Sequence, residues 1–212
     1  MSGLKIYGNA RSRAARVLWL AKELGVAYEH VAVAANDPKL KEPAFLKVNP
    51  AGRIPAIEDE GGVAMGESLA INLYLARKYG TQAKPSLAPA NPAEDARILQ
   101  WTCWAMTDLE GTMGTAFLHR GFFPEDKRED KVAAAAEQQA QKPLAMLDGI
   151  LAGSAYLLGD RFTLADLNLA CVLSLNRIGV IDMAKFPHLS AWAKRCHDRP
   201  AAVEVRAMAA AT

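Results

Sequence analysis

Apolar positions follow two different rhythms along this chain, and the change comes near residue 80. In the first part, short apolar runs alternate with single amphipathic stretches. Residues 4–7 form a run that stops at the turn pair Gly8-Asn9. Ala14, Val17, Leu18, Ala21 and Leu24 then recur at helical spacing, and Gly25 follows as a C-terminal cap. Residues 28–33 are rich in β-formers and predict a second strand. Residues 36–46 contain two prolines and predict at most one short helical turn. Residues 54–57 and 63–65 predict short strands around a hairpin at Asp59-Glu60-Gly61-Gly62. Residues 67–79 predict a helix with Leu69, Leu73 and Ala76 on one face, closed by Gly80. The expected order is βαβ, a loop, then ββα.

The stretch TQAKPSLAPANP carries three prolines and predicts a linker. Beyond it the pattern is helical throughout. Long helices are expected over 93–118 and over 126–151, the second kinked by Pro143. Thr163 and Asp166 have capping-box spacing, with Phe162 and Leu167 at the staple positions. They predict a buried helix over 164–178, apolar nearly all round. Residues 189–198 and 201–210 complete the set. The predicted fold class is α/β plus all-α: a small α/β domain at 1–80, a linker at 81–91 and an all-helical domain at 92–212.

Composition changes this picture little. Of the 212 residues, 51% are hydrophobic and 23% charged, which excludes disorder, a collagen and a disulfide scaffold. Three cysteines without a CxxC predict free thiols in a reducing compartment. Cys196-His197-Asp198 has the residue types of a catalytic set. On a helix, however, neighbouring residues point apart. No histidine or cysteine spacing fits a metal site, so no metal is expected. The opening MSGLKIYGNARSR has no apolar leader core, and no stretch approaches the roughly 20 apolar residues of a membrane span. A cytoplasmic protein without membrane contact is expected. The net charge is +2, but residues 1–22 hold five bases and no acid. That excess suits a small anion or a solvated helix face, and is too short for nucleic acid.

Three places in the first domain carry candidate chemistry. Ser12 lies between strand and helix, either as a simple N-cap or as a hydroxyl facing an anion beside the positive helix end. In Asn49-Pro50-Ala51-Gly52-Arg53-Ile54-Pro55, a proline directly precedes a strand. An ordinary trans proline would do there. A cis Ile54–Pro55 bond would instead leave the Ile54 backbone free to pair with an extended peptide. Glu67-Ser68 opens a helix: Ser68 offers a carboxylate site and Glu67 could hold an ammonium, or serve only as a first-turn acid.

The runs YGNARSRAARV, NPAGRIPAIED, MGESLAINLYLARKYG and DRFTLADL together resemble the cytosolic glutathione transferases over the whole chain. The resemblance implies a thioredoxin-like N-terminal domain, a helical C-terminal domain, a glutathione site, a hydrophobic co-substrate site between the domains, and a homodimer. Reduced glutathione would be a co-substrate, with no tightly bound cofactor. By resemblance, Ile54 before Pro55 pairs with the cysteinyl part of glutathione, and Glu67 and Ser68 hold the γ-glutamyl end. Arg53 and Lys41 lie toward the glycyl carboxylate. Leu40 stands where some relatives have a histidine. Ser12 and Arg16 match the serine-type pattern of the theta and delta classes. Tyr7 stands near the place of the tyrosine used by other members. Asn9 and Arg11 share the loop and could assist the sulfur, with Arg11 also grouped among the glutathione contacts. Candidates for the sulfur contact are therefore Ser12, then Tyr7, then Asn9. With no cysteine before Cys103, thiol–disulfide chemistry by an enzyme cysteine is not expected. Trp101, Trp104 and Asp108 are co-substrate candidates, unless the tryptophans are simply core. The implied function is glutathione conjugation of small hydrophobic electrophiles. The alternatives are isomerisation or dehalogenation with the same thiolate, or a non-catalytic binding protein.

Overall fold

The computed structural model describes residues 3–211; Met1, Ser2 and Thr212, at the ends of the expected domains, lie outside the described residues. Contacts divide the chain into two compact units, Met1–Ala90 with Asp198–Thr212, and Asn91–His197.

The first unit is built on a four-stranded sheet. Its strands are β1 (Lys5–Tyr7), β2 (Glu29–Val31), β3 (Ala56–Asp59) and β4 (Val63–Gly66), in the order β2-β1-β3-β4. β1 and β2 are parallel, whereas β3 is antiparallel to both β1 and β4. Pro55 has no N–H to give, so the β3 ladder starts at Ala56 and runs to Asp59, two residues later than the sequence pattern predicts. Helix α1 (Ala14–Leu24) ends at Gly25, whose φ of 64° is left-handed as the cap requires. The proline-bearing stretch makes two short turns rather than one. A 3-10 turn over Pro38–Lys41 precedes α2 (Pro43–Leu46), each starting at a proline that has no N–H to leave unpaired. Helix α3 (Ser68–Tyr79) buries Leu69, Ile71, Asn72, Leu75 and Ala76, while Leu73 is only half-buried.

The last helix, α9 (Pro200–Ala210), packs on α1. The sequence pattern places it with residues 92–212; its contacts group it with the sheet. Ala201, Ala202 and Val205 are buried, Arg199 grips Glu23 with two bonds of 2.7 Å, and Lys22 meets Glu204 at 2.8 Å.

In the second unit, the expected helix over 93–118 extends further and is not uniform. Helix α4 (Pro92–Trp104) passes into a π-turn over Ala105–Glu110, then α5 (Gly111–Phe117), then a second π-turn over Leu118–Phe122. Helix α6 (Asp130–Leu151) continues through Pro143. Helix α7 (Leu164–Leu173) is buried at every position, and its expected tail is a 3-10 turn closed by left-handed Gly179. The Thr163–Asp166 capping box forms. Helix α8 (Pro187–His197) buries Cys196 among core side chains, apart from any surface chemistry. Among the described residues, no helix is long and apolar enough to cross a membrane.

Candidate active site

The register of the sheet decides where the candidate residues go. Ala56 stands opposite Tyr7 on one side and Gly66 on the other. β1 and β4 therefore finish, and β3 begins, at the same edge. The segments that leave this row are residues 8–13, residues 54–55 and the start of α3, which are the three stretches singled out by the sequence.

The first segment is a tight turn. Gly8 has a φ of 124°, and a Cβ there would lie 2.7 Å from the Ala14 side chain, so only glycine fits. Val31 O accepts from its N–H at 3.0 Å, and His30 Nε2 donates to its carbonyl at 2.7 Å. Asn9 is used inside the turn: Oδ1 accepts from Arg11 N, and its carbonyl accepts from Ser12 N and, at 2.8 Å, from the Ser12 hydroxyl. Ser12 Oγ in turn accepts from Ala14 N at 3.1 Å, so Ser12 caps the helix although the regular turn starts two residues later. Ser12 remains half-exposed. The Arg11 side chain is exposed and has no polar partner among the described residues.

Tyr7 lies differently. Its hydroxyl donates to Glu58, and its ring packs edge-on against Phe45. Burial, and then the Glu58 carboxylate, push its phenol well above a tyrosine's ordinary value. Its proton is held and committed.

In the second segment the Ile54–Pro55 peptide is cis. Among the described residues, neither the N–H nor the C=O of Ile54 has a hydrogen-bond partner. Asn49 shapes this loop from a buried position, donating to Arg53 O at 2.7 Å and accepting from Ala51 N. In the sequence, the turn pair Asn49-Pro50 is the only local signal of this role. Lys41 reaches the loop and donates to Gly52 O at 2.9 Å. Arg53 points its side chain to solvent without a polar partner among the described residues. Leu40 is buried in an apolar cluster with Phe45, Val48 and Ala56, so it serves packing.

The third segment holds the only non-glycine residue with positive φ among the described residues, Glu67, at φ 64° and ψ 104°. Such strain is kept only where surrounding structure enforces it. It leaves the Glu67 side chain exposed and the start of α3 without a side-chain cap. Ser68 is 5% exposed, and its Oγ accepts from Arg16 Nη1 at 3.3 Å.

The family pattern described as the N-terminal domain of glutathione S-transferase matches residues 11–78, and that of the C-terminal domain matches residues 109–200. Glutathione S-transferase 3 of Zea mays is 35% identical, over 95% of this chain and 92% of that protein. Glutathione S-transferase F9 of Arabidopsis thaliana is 32% identical, over 93% and 94%. The chain belongs to the glutathione S-transferase family. Among solved structures, the theta class glutathione S-transferase of Xanthomonas axonopodis pv. citri, determined with glutathione bound, is similar. It is 34% identical over 96% of this chain and 97% of that one, with a TM-score of 0.85.

This glutathione S-transferase thus has a thioredoxin-like sheet unit and a helical unit. In the helical unit, Trp101 and Trp104 are half-buried and meet edge-on at 5.5 Å, so neither is fully buried core. Asp108, exposed on the first π-turn, accepts from the Thr107 hydroxyl at 2.6 Å. π-turns within helices often mark functional positions. Phe117 is buried beneath Arg177, whose guanidinium lies 4.1 Å from the ring centre.

Proposed function

We propose that this protein binds reduced glutathione along the edge where β1, β3 and β4 meet, and holds its sulfur as a thiolate for attack on small hydrophobic electrophiles. The register at Tyr7, Ala56 and Gly66 carries the reading, because it gathers three kinds of polar group on one edge. A hydroxyl from Ser12 suits the sulfur. The unpaired Ile54 N–H and C=O suit the cysteinyl main chain, as in strand addition. The uncapped start of α3, with Ser68, suits the γ-glutamyl carboxylate, and the exposed Glu67 suits its ammonium. Lys41 spends one donor on Gly52 and has others for the glycyl carboxylate, with Arg53 and Arg11 as further cations.

A cysteine thiol has a pKa of about 8.5, so at neutral pH only a few per cent is thiolate. Each unit of lowering requires about 1.36 kcal/mol of preference for the anion. A turn about the Ser12 Cβ–Oγ bond exchanges its bond to Asn9 O for one to sulfur. A bond to an anion is stronger than one to a neutral carbonyl, so the exchange favours the thiolate. At about 1.5–3 kcal/mol such a bond accounts for one to two units. Tyr7 is the weaker candidate, since its hydroxyl already donates to Glu58. Asn9 is the third, since the turn uses it. Trp101, Trp104 and Asp108 are the proposed co-substrate contacts. The homodimer and the cytoplasmic setting rest on the family resemblance.

The test is Ser12→Ala with glutathione and a chlorinated aromatic electrophile. Turnover is expected to fall about tenfold to a hundredfold, with glutathione affinity changing less than about twofold. Full turnover in the variant would reject the serine assignment.

A further inference from the structure

Arg16 pairs with Ser68 and has no part in the roles given above. Arg16 sits one turn beyond Ser12, on α1, and is 5% exposed. It crosses to α3 and donates to Ser68 Oγ at 3.3 Å, across 52 positions of sequence. In return, Asn72 of α3 donates through Nδ2 to the Arg16 carbonyl at 3.4 Å. The two helices are therefore stitched in both directions next to the uncapped end of α3.

The chemistry of the pair is asymmetric. A guanidinium has donors and no acceptor, whereas a serine hydroxyl has one hydrogen and two lone pairs. With Arg16 on a lone pair, the hydroxyl cannot donate to Arg16. Among the described residues the Ser68 hydroxyl donates to no protein group, although the residue is buried. Its hydrogen is fixed as a donor with no acceptor in the protein, beside the free N–H groups that open α3. The nearby cation further favours an anion there.

We propose that Arg16 is a positioning residue that locks the Ser68 hydroxyl as a donor to the α-carboxylate of the γ-glutamyl group. The proposal rests on the glutathione reading above. Arg16 itself need not touch the ligand. Its loss lets the hydroxyl turn away, so the cost falls on binding of that one carboxylate.

The experiment measures kinetics and calorimetric binding for the wild type, Arg16→Met, Arg16→Lys, Ser68→Ala and Arg16→Met with Ser68→Ala. Two thiols are used: glutathione, and its analogue with 4-aminobutyrate in place of the γ-glutamyl residue, which lacks the α-carboxylate. For glutathione, Arg16→Met is expected to raise KM and Kd about tenfold, with kcat much less affected, and Arg16→Lys to recover most of the loss. In the Ser68→Ala background, the Arg16→Met effect is expected to shrink to less than about twofold. The analogue is expected to bind the wild type weakly and to be indifferent to Arg16. Equal losses for both thiols, or additive losses in the double variant, would overturn the proposal and leave Arg16 as a packing residue. If Arg16→Met does not fold, Arg16→Gln, whose amide offers an acceptor as well as donors, takes its place in the same comparison with the same outcomes deciding. Absence of glutathione uptake by the wild type would instead reject the parent reading.

Discussion

Replacing Asp166 by alanine tests the energetic logic of the helical unit. The carboxylate is wholly buried and accepts four hydrogen bonds: from Leu157 N at 2.8 Å, and from Thr163 N, Thr163 Oγ1 and Trp192 Nε1 at 2.9 Å each. Burial pushes its pKa up, against those four donors. Alanine keeps the helix propensity but strands two main-chain N–H groups and a fully buried indole N–H, while the Thr163 hydroxyl can turn elsewhere. A stranded buried donor costs about 1–3 kcal/mol, so three amount to roughly 3–6 kcal/mol once water regains part of the vacated space. Against a total stability of about 5–15 kcal/mol, that is a large fraction. Asp166→Asn keeps one accepting oxygen, for Leu157 N and Trp192 Nε1, and sets its amide against Thr163. The Thr163 hydroxyl can reverse and accept, leaving one N–H stranded. Because burial already penalises the charge, the asparagine variant is expected to lose about half as much as alanine. Urea unfolding followed by tryptophan fluorescence and by circular dichroism measures both. Alanine and asparagine variants of equal stability would refute the donor count, and an alanine variant within about 0.5 kcal/mol of wild type would refute the whole account.

Two further outcomes are expected. Tyr7→Phe should keep turnover within about twofold, because the phenol serves Glu58; loss of activity to the level of Ser12→Ala would move the sulfur contact to Tyr7. Asp59 is buried and bound by Lys78 at 2.9 Å, by Tyr79, by Glu60 N and by Tyr74. Burial alone would raise its pKa, but these partners together hold it below the ordinary carboxylate value of 3.8. A carboxyl depressed by folding adds stability above its unfolded value, and that stability is lost as pH falls through the folded one. Asp59→Asn should therefore cost about 1–3 kcal/mol at neutral pH and flatten the acid limb of a melting-temperature profile. An unchanged limb would assign acid sensitivity to other groups.

Much of the outline was legible in the chain itself. Apolar periodicity, Gly25 as a left-handed cap, the hairpin glycines and the capping box all act between residues a few positions apart, so their physics is written locally. The candidate segments were legible for the same reason: a turn after a strand, a proline before one and a serine at a helix start are each short-range signals. Pairs that meet across the fold were not. Tyr7 finds Glu58, Arg16 finds Ser68 and Asn168 finds Thr102, each more than fifty positions away, through sheet register and helix packing that no local pattern specifies. The π-turns and the attachment of α9 to the sheet unit belong with them. The acceptor opposite each hydroxyl, Glu58 for Tyr7 and the Asn9 carbonyl for Ser12, was likewise set in three dimensions. Residue types and short-range order came from the sequence, while the partner of each polar group came from tertiary structure, where burial makes an unpaired donor or acceptor costly.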